Sequence, residues 1–106
     1  MANAYKVLIQ GQLGNTVATL ATVGALKSWV ISKITVVNTD SSARTCGFYV
    51  GGTTDTKAIT PTAISIPAGG MMEFTGAETI EAGNTLSGGA SVATKLTYTV
   101  FGNEVS

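Results

Sequence analysis

The chain has 106 residues, 44% of them hydrophobic and only 11% charged, and its six basic and six acidic side chains cancel. That apolar share suffices for a packed core and excludes intrinsic disorder. The charged share is less than half of the ~25% usual in soluble domains. A duplex-binding protein needs a basic face to displace counterions. Here Lys6, Lys27, Lys33, Arg44, Lys57 and Lys95 are scattered singly, so nucleic acid is not an expected partner. No apolar run approaches the length that crosses a bilayer, and no basic amphipathic segment suits a membrane surface. The opening residues lack the basic-then-apolar pattern of a secretory leader, so synthesis in a cytoplasm is expected. One domain spanning residues 1–106 is the expected organisation.

Taken in chain order, the dominant period is two, the signature of half-buried strands. Residues 5–13 read as a first strand with Tyr5, Val7 and Ile9 on one face. Residues 16–23, rich in Thr and Val, read as a second. Residues 29–38 form an apolar strand that places Val30, Ile34 and Val36 on one face and Trp29, Ile31 and Val37 on the other. Residues 45–50 follow, with Cys46, Phe48 and Val50 sharing a face. Short strands are expected at 62–66 and 71–75, with weaker ones at 79–81 and 85–87. Residues 92–101 close the series, with Leu96, Tyr98 and Val100 alternating against Lys95, Thr97 and Thr99.

Turn chemistry separates these runs at Gly14-Asn15, Gly24-Ala25, residues 38–42, Gly51-Gly52, residues 67–70, residues 82–84 and Gly88-Gly89. A spacing of about 8–12 residues suits a sandwich or barrel. The fold expected is all-β, an antiparallel β-sandwich of about eight strands with jelly-roll-like order. An immunoglobulin-like sandwich is the alternative, although the Cys-Trp-Cys spacing is absent.

Residues that carry chemistry are few. With no histidine, the usual general base, the commonest metal ligand and the Ser-His-Asp arrangement are missing. Glu78 and Glu81 are the nearest carboxylate pair, and three residues apart on a strand places them on opposite faces. Cys46, inside an alternating strand beside Phe48, reads as a small core residue and not a nucleophile. The glycine pairs lack the Lys-Ser/Thr and following helix of a phosphate loop. Asp40 and Asp55 lie in oxygen-rich loops, but no Asp-x-Asp-x-Asp spacing is present, and an Asx-type turn is the expectation at Asp40. No enzyme activity, cofactor or metal is expected.

Surface contact is then the remaining kind of function. Aromatic and methionine side chains outside the core mark interface centres. Strict alternation turns Trp29, Tyr49 and Phe101 away from the core faces of their strands, unless a bulge shifts the register. One of the adjacent Met71 and Met72 must face outward. Tyr5 completes the set of interface candidates.

Several local sequences occur in a familiar order: Ile34-Thr35-Val36-Val37-Asn38-Thr39, then Gly47-Phe48-Tyr49-Val50, Ile66-Pro67-Ala68-Gly69-Gly70 and Ile80-Glu81-Ala82-Gly83-Asn84-Thr85-Leu86, closed by the alternating strand. Over roughly residues 5–102 this order resembles the small β-sandwich, jelly-roll-like structural proteins of tailed-bacteriophage virions, of the decoration, cement and staple type. The resemblance implies a homo-oligomer, dimer or trimer, that binds the major capsid protein or another virion protein on the capsid surface and bridges neighbouring subunits. Under the same resemblance a terminal segment, Met1–Tyr5 or Asn103–Ser106, adds a strand to a neighbour. The alternative it leaves open is a tail- or fibre-associated module that recognises a host glycan or receptor, with Trp29 or Tyr49 stacking on a sugar ring.

Overall fold

In a computed structural model, the backbone is described for residues 5–60 and 63–105, and the side chains likewise apart from Tyr5, Asp55 and residues 76–78. Eight strands follow in order: β1 (Tyr5–Gln12), β2 (Ala18–Thr22), β3 (Ser28–Asn38), β4 (Arg44–Val50), β5 (Ile64–Ile66), β6 (Met71–Ile80), β7 (Thr85–Ala90) and β8 (Leu96–Val105), with one short 3-10 turn at Asp55–Lys57. They form two four-stranded sheets, β1-β8-β3-β6 and β2-β7-β4-β5, antiparallel throughout. First pairs with last, β2 with β7, β3 with β6 and β4 with β5, so the chain is one long hairpin rolled into a sandwich. That is a jelly roll, as the strand pattern predicts. The immunoglobulin alternative, which pairs first strand with second, is set aside.

One core lies between the sheets. Phe48 of the second sheet meets Phe74 and Tyr98 of the first edge-on, with ring centroids 6.0 and 6.2 Å apart. Leu86, Leu96, Ile34, Val36, Val100 and Ile66 close around them. Edge-to-face contact of this kind adds about 0.5–1.5 kcal/mol to area burial.

Bulges on β3 and β1 change which side chains reach that core. On β3, Ile31 pairs with Gly102 and Lys33 with Phe101, so Ser32 is an extra residue. Its hydroxyl donates to the Phe101 carbonyl at 3.2 Å. Before the bulge Trp29 and Ile31 point inward; after it Ile34 and Val36 do. The expected grouping of Val30 with Ile34 and Val36 is therefore corrected. On β1, Val7 pairs with Phe101 and Ile9 with Val100, leaving Leu8 as the extra residue. Val7 and Ile9 thus part company, with Leu8 and Ile9 packing on the core and Val7 exposed.

Three further expectations are corrected. Gly88-Gly89 is the middle of β7 and not a turn. A Cβ on Gly88 would crowd Phe48 at 3.1 Å, and one on Gly89 would meet the Thr16–Val17 backbone at 2.8 Å, so this strand is glycine-bearing because other groups lie against it. The strands expected at 71–75 and 79–81 are one, β6. The C-terminal residues Asn103 to Val105 pair with Val30 to Ser28, which occupies their backbone within the sheet. Residues 1–4 and 106, the rest of the expected strand-donating segments, lie outside the described residues.

Candidate interaction surface

The outward side of the first sheet is set by cross-strand register. Residues paired across strands share a face, which gives three rows. Gln12, Thr97, Val37 and Met71 form one row; Gln10, Thr99, Thr35 and Glu73 the next; Val7, Phe101, Lys33 and Thr75 the third. The middle row is polar, with Gln10 Nε2 donating to Thr99 Oγ1 at 2.9 Å. Charge on this face is self-contained. Lys33 Nζ sits 3.7 Å from a Glu73 carboxylate oxygen and 4.8 Å from the centre of the Phe101 ring. Three apolar side chains are also open on this face: Met71 at 62% and Val7 at 48% exposure, with Val37 beside Met71.

Among the candidates read from the sequence, Met71 and Phe101 lie on this face. Met72 turns inward against the core. The Tyr5 side chain lies outside the described residues, while its backbone pairs with Asn103. Trp29 and Tyr49 are corrections, at 8% and 4% exposure. The Ser32 bulge brings Trp29 to the core side, and its indole donates to Glu104 Oε2 at 3.0 Å. Tyr49 stands on the outward side of the second sheet between its pair partners Ser87 and Ala58. Neither ring is presented for stacking on a sugar. Val7 and Val37 were not candidates from the sequence. The bulge that exposes Val7 leaves no mark in composition, but the outward place of Val37 followed from alternation.

Electrostatic groups are gathered at the two ends of the sandwich. Glu104 accepts from Trp29 and lies 3.7 and 3.6 Å from Lys6 and Lys27, which holds its carboxyl below the ordinary value, with the indole hydrogen bond the main cause. At the opposite end Asp40 accepts from Arg44 Nε at 2.6 Å and from the Ser41 N–H at 2.7 Å. That hydrogen bond to Arg44 is the main cause of its lowered pKa. The Asp40 N–H donates to Asn38 Oδ1 at 2.8 Å, which is the Asx-type turn expected. Burial pushes the Cys46 thiol up to about 11, the behaviour of an unreactive core cysteine. Among the described residues no three His, Cys, Asp or Glu side chains gather as metal ligands would.

No protein-family model matches the sequence, and no curated protein does. The fold does recur in solved structures. A protein of Bacillus endospore appendages, described as a novel family of disulfide-linked pili, superposes with a TM-score of 0.59 at 18% identity, over 99% of this chain and 87% of that one. A pentameric capsid protein isolated from metagenomic phage sequences aligns with a TM-score of 0.40 at 23% identity, over 91% of this chain and 60% of that one. The first likeness establishes a shared sandwich fold. The second is too loose to add to it.

Proposed function

We propose that this chain is a structural protein of a bacteriophage virion, a capsid decoration or cement protein that binds the assembled shell and bridges neighbouring subunits. The observation that supports this reading is the outward side of the first sheet, where Met71 and Val37 toward one edge and Val7 at the other are held out, with a row of Thr and Gln side chains between them. Exposed apolar side chains on a face whose charges are already paired with each other suit a protein interface. A ligand that binds the assembled shell and not the loose subunit stabilises assembly by mass action. Many copies on symmetry-related sites add to that through avidity. The order of local sequences that resembles tailed-phage sandwich proteins points to the same partner, the major capsid protein. On this reading residues 1–106 act as one domain with no catalytic role.

The test is co-sedimentation of the free protein with empty heads assembled from the capsid protein encoded beside it. Binding that raises the temperature at which heads disrupt is the expected result. Met71→Glu should weaken binding by tenfold or more, since a charge would be buried at the contact. Heads whose stability is unchanged by saturating protein would overturn the reading.

A further inference from the structure

Leu26 sits at the tip of the connection between β2 and β3, and it breaks two local rules at once. It is 92% exposed, and its backbone is left-handed, with φ at 64°, a region that β-turns normally give to glycine or asparagine. The turn is closed by the Lys27 N–H donating to the Gly24 carbonyl at 3.2 Å. Thr94, the other non-glycine residue with positive φ among the described residues, is held by its surroundings: its N–H donates to the Leu13 carbonyl and its hydroxyl to the Ala93 carbonyl. No comparable packing covers the Leu26 side chain. Strain retained at an exposed apolar residue points to a role outside the fold of one copy.

The opposite end of the molecule carries a recess of about 170 Å³. Val17, Cys46, Gly89 and Ala90 line it together with polar side chains of the flanking connections, Asn15 and Thr16 among them. A cavity of roughly 150 Å³ takes a six-carbon ring, so the four-carbon isobutyl group of a leucine fits. The two features are at opposite ends. The Leu26 connection is bonded to the β6–β7 turn, where the Val23 N–H donates to Asn84 and the Gly83 N–H to Val23. The recess adjoins the connections from β1 to β2 and from β7 to β8, which meet through Thr94 and Leu13.

We propose that copies of this chain stack end to end, with Leu26 of one copy seated in the recess beside Val17 and Cys46 of the next. A knob and a hole at opposite ends of one molecule make a heterologous contact, which extends into a row and does not close into a two-fold dimer. The zero net charge leaves no overall repulsion between copies. The cross-section transverse to the 44 Å axis is 26 × 20 Å, so an end face offers on the order of 400 Å² per copy, about half of what a stable pair buries. The contact is accordingly weak in dilute solution and strengthens when copies are held side by side on a scaffold. It does not rest on the shell-binding reading, because it needs only the free protein.

Sedimentation equilibrium between roughly 10 μM and 1 mM tests it, since contacts of this size fall in that range. The expected result is an average mass that climbs with concentration and does not level off at the dimer. Leu26→Asn keeps the turn, because asparagine accepts left-handed backbone, and should weaken association about tenfold or more. Val17→Arg fills the recess from an exposed position and should do the same. The deciding measurement mixes the two variants: each alone stays monomeric, while together they form a one-to-one pair from the intact knob of one and the intact hole of the other. A mass that stays monomeric throughout, a plateau at the dimer, or mixed variants that fail to pair would overturn the proposal.

Discussion

Gly102 lies directly against the carbonyl oxygen of Val30, so that a Cβ on Gly102 would overlap that oxygen and press on the Ile31 Cα at 3.0 Å. The closeness belongs to the β3 bulge. Gly102 pairs with Ile31 immediately before the extra residue Ser32, and two backbones approach more tightly there than a side chain permits. Gly102→Ala forces β3 or β8 to move in the middle of the first sheet. A loss of about 3 kcal/mol is expected, or a fall in melting temperature on the order of 15 °C. Gly14→Ala is the control, since a Cβ there meets nothing within 4 Å. Thermal unfolding of the two variants in parallel checks the claim, and equal melting temperatures would refute it.

The same bulge marks the limit of what the sequence discloses. Alternation locates β1, β3, β4 and β8 to within a few residues, and it correctly places Leu96, Tyr98 and Val100 inward, because side chains switch faces at every step. It cannot report one inserted residue, after which every later assignment flips. Trp29 was assigned to the outer side for that reason, and Val7 was grouped on one face with Ile9. Ser32, a small polar residue inside an apolar run, was the available trace. Gly88-Gly89 misled for a related reason. Glycine in a strand serves close approach of distant groups, here Phe48 and the Thr16–Val17 backbone, and local sequence does not show what comes near. Pairing of first strand with last is likewise non-local, so strand number and turn spacing pointed to a jelly-roll-like sandwich without showing which strands pair.

Asn38 ends β3 and ties three segments together. Its side-chain N–H groups are spread over the carbonyls of Ser42, Ile66 and Pro67 at 3.0, 3.0 and 3.2 Å, and its Oδ1 accepts from the Asp40 N–H. The residue is buried, so its removal leaves those carbonyls short of donors away from water. Asn38→Ala is expected to cost about 3 kcal/mol. Asn38→Asp should cost as much or more, since a carboxylate placed among three carbonyl oxygens has nothing to donate. Urea denaturation with an unchanged slope and a lowered midpoint is the expected observation. An Asp variant as stable as the native protein would show that the amide donors are not what joins these segments.

Acid sensitivity should trace to Glu104 and Asp40. Both carboxyls have folded-state pKa values below their ordinary ones, Glu104 chiefly through the Trp29 indole and Asp40 chiefly through Arg44. In the acid range the unfolded chain therefore binds more protons than the folded one. The stabilisation is complete above the ordinary carboxylate range and is lost as pH falls through the lowered values. No histidine is present, so no side chain with an ordinary pKa near neutrality adds a transition between pH 5 and 8. The melting temperature should be flat across that interval and fall below about pH 4. Glu104→Gln keeps an acceptor for Trp29 and should flatten part of the acid limb. A limb unchanged in both Glu104→Gln and Asp40→Asn would assign acid sensitivity to other groups.

Cys46 offers a check on the core from the alkaline side. It is 2% exposed and belongs to the same buried cluster as Phe48 and Ile66, and desolvation raises its thiol to about 11. A raised folded-state value means that stability is whole below the ordinary thiol range and declines as pH climbs from there toward 11, because the unfolded chain gives up the proton first. At pH 8 the native thiol is protonated and only 2% exposed where it lines the end recess, so a disulfide reagent too bulky to enter that recess should react only as fast as the structure opens. Labelling should be slow in buffer, complete within minutes in urea, and accelerated in Gly102→Ala in proportion to the stability lost. Rapid labelling of the native protein at pH 8, at the rate of a free thiol, would place Cys46 at the surface and contradict the packing of β4 against the first sheet.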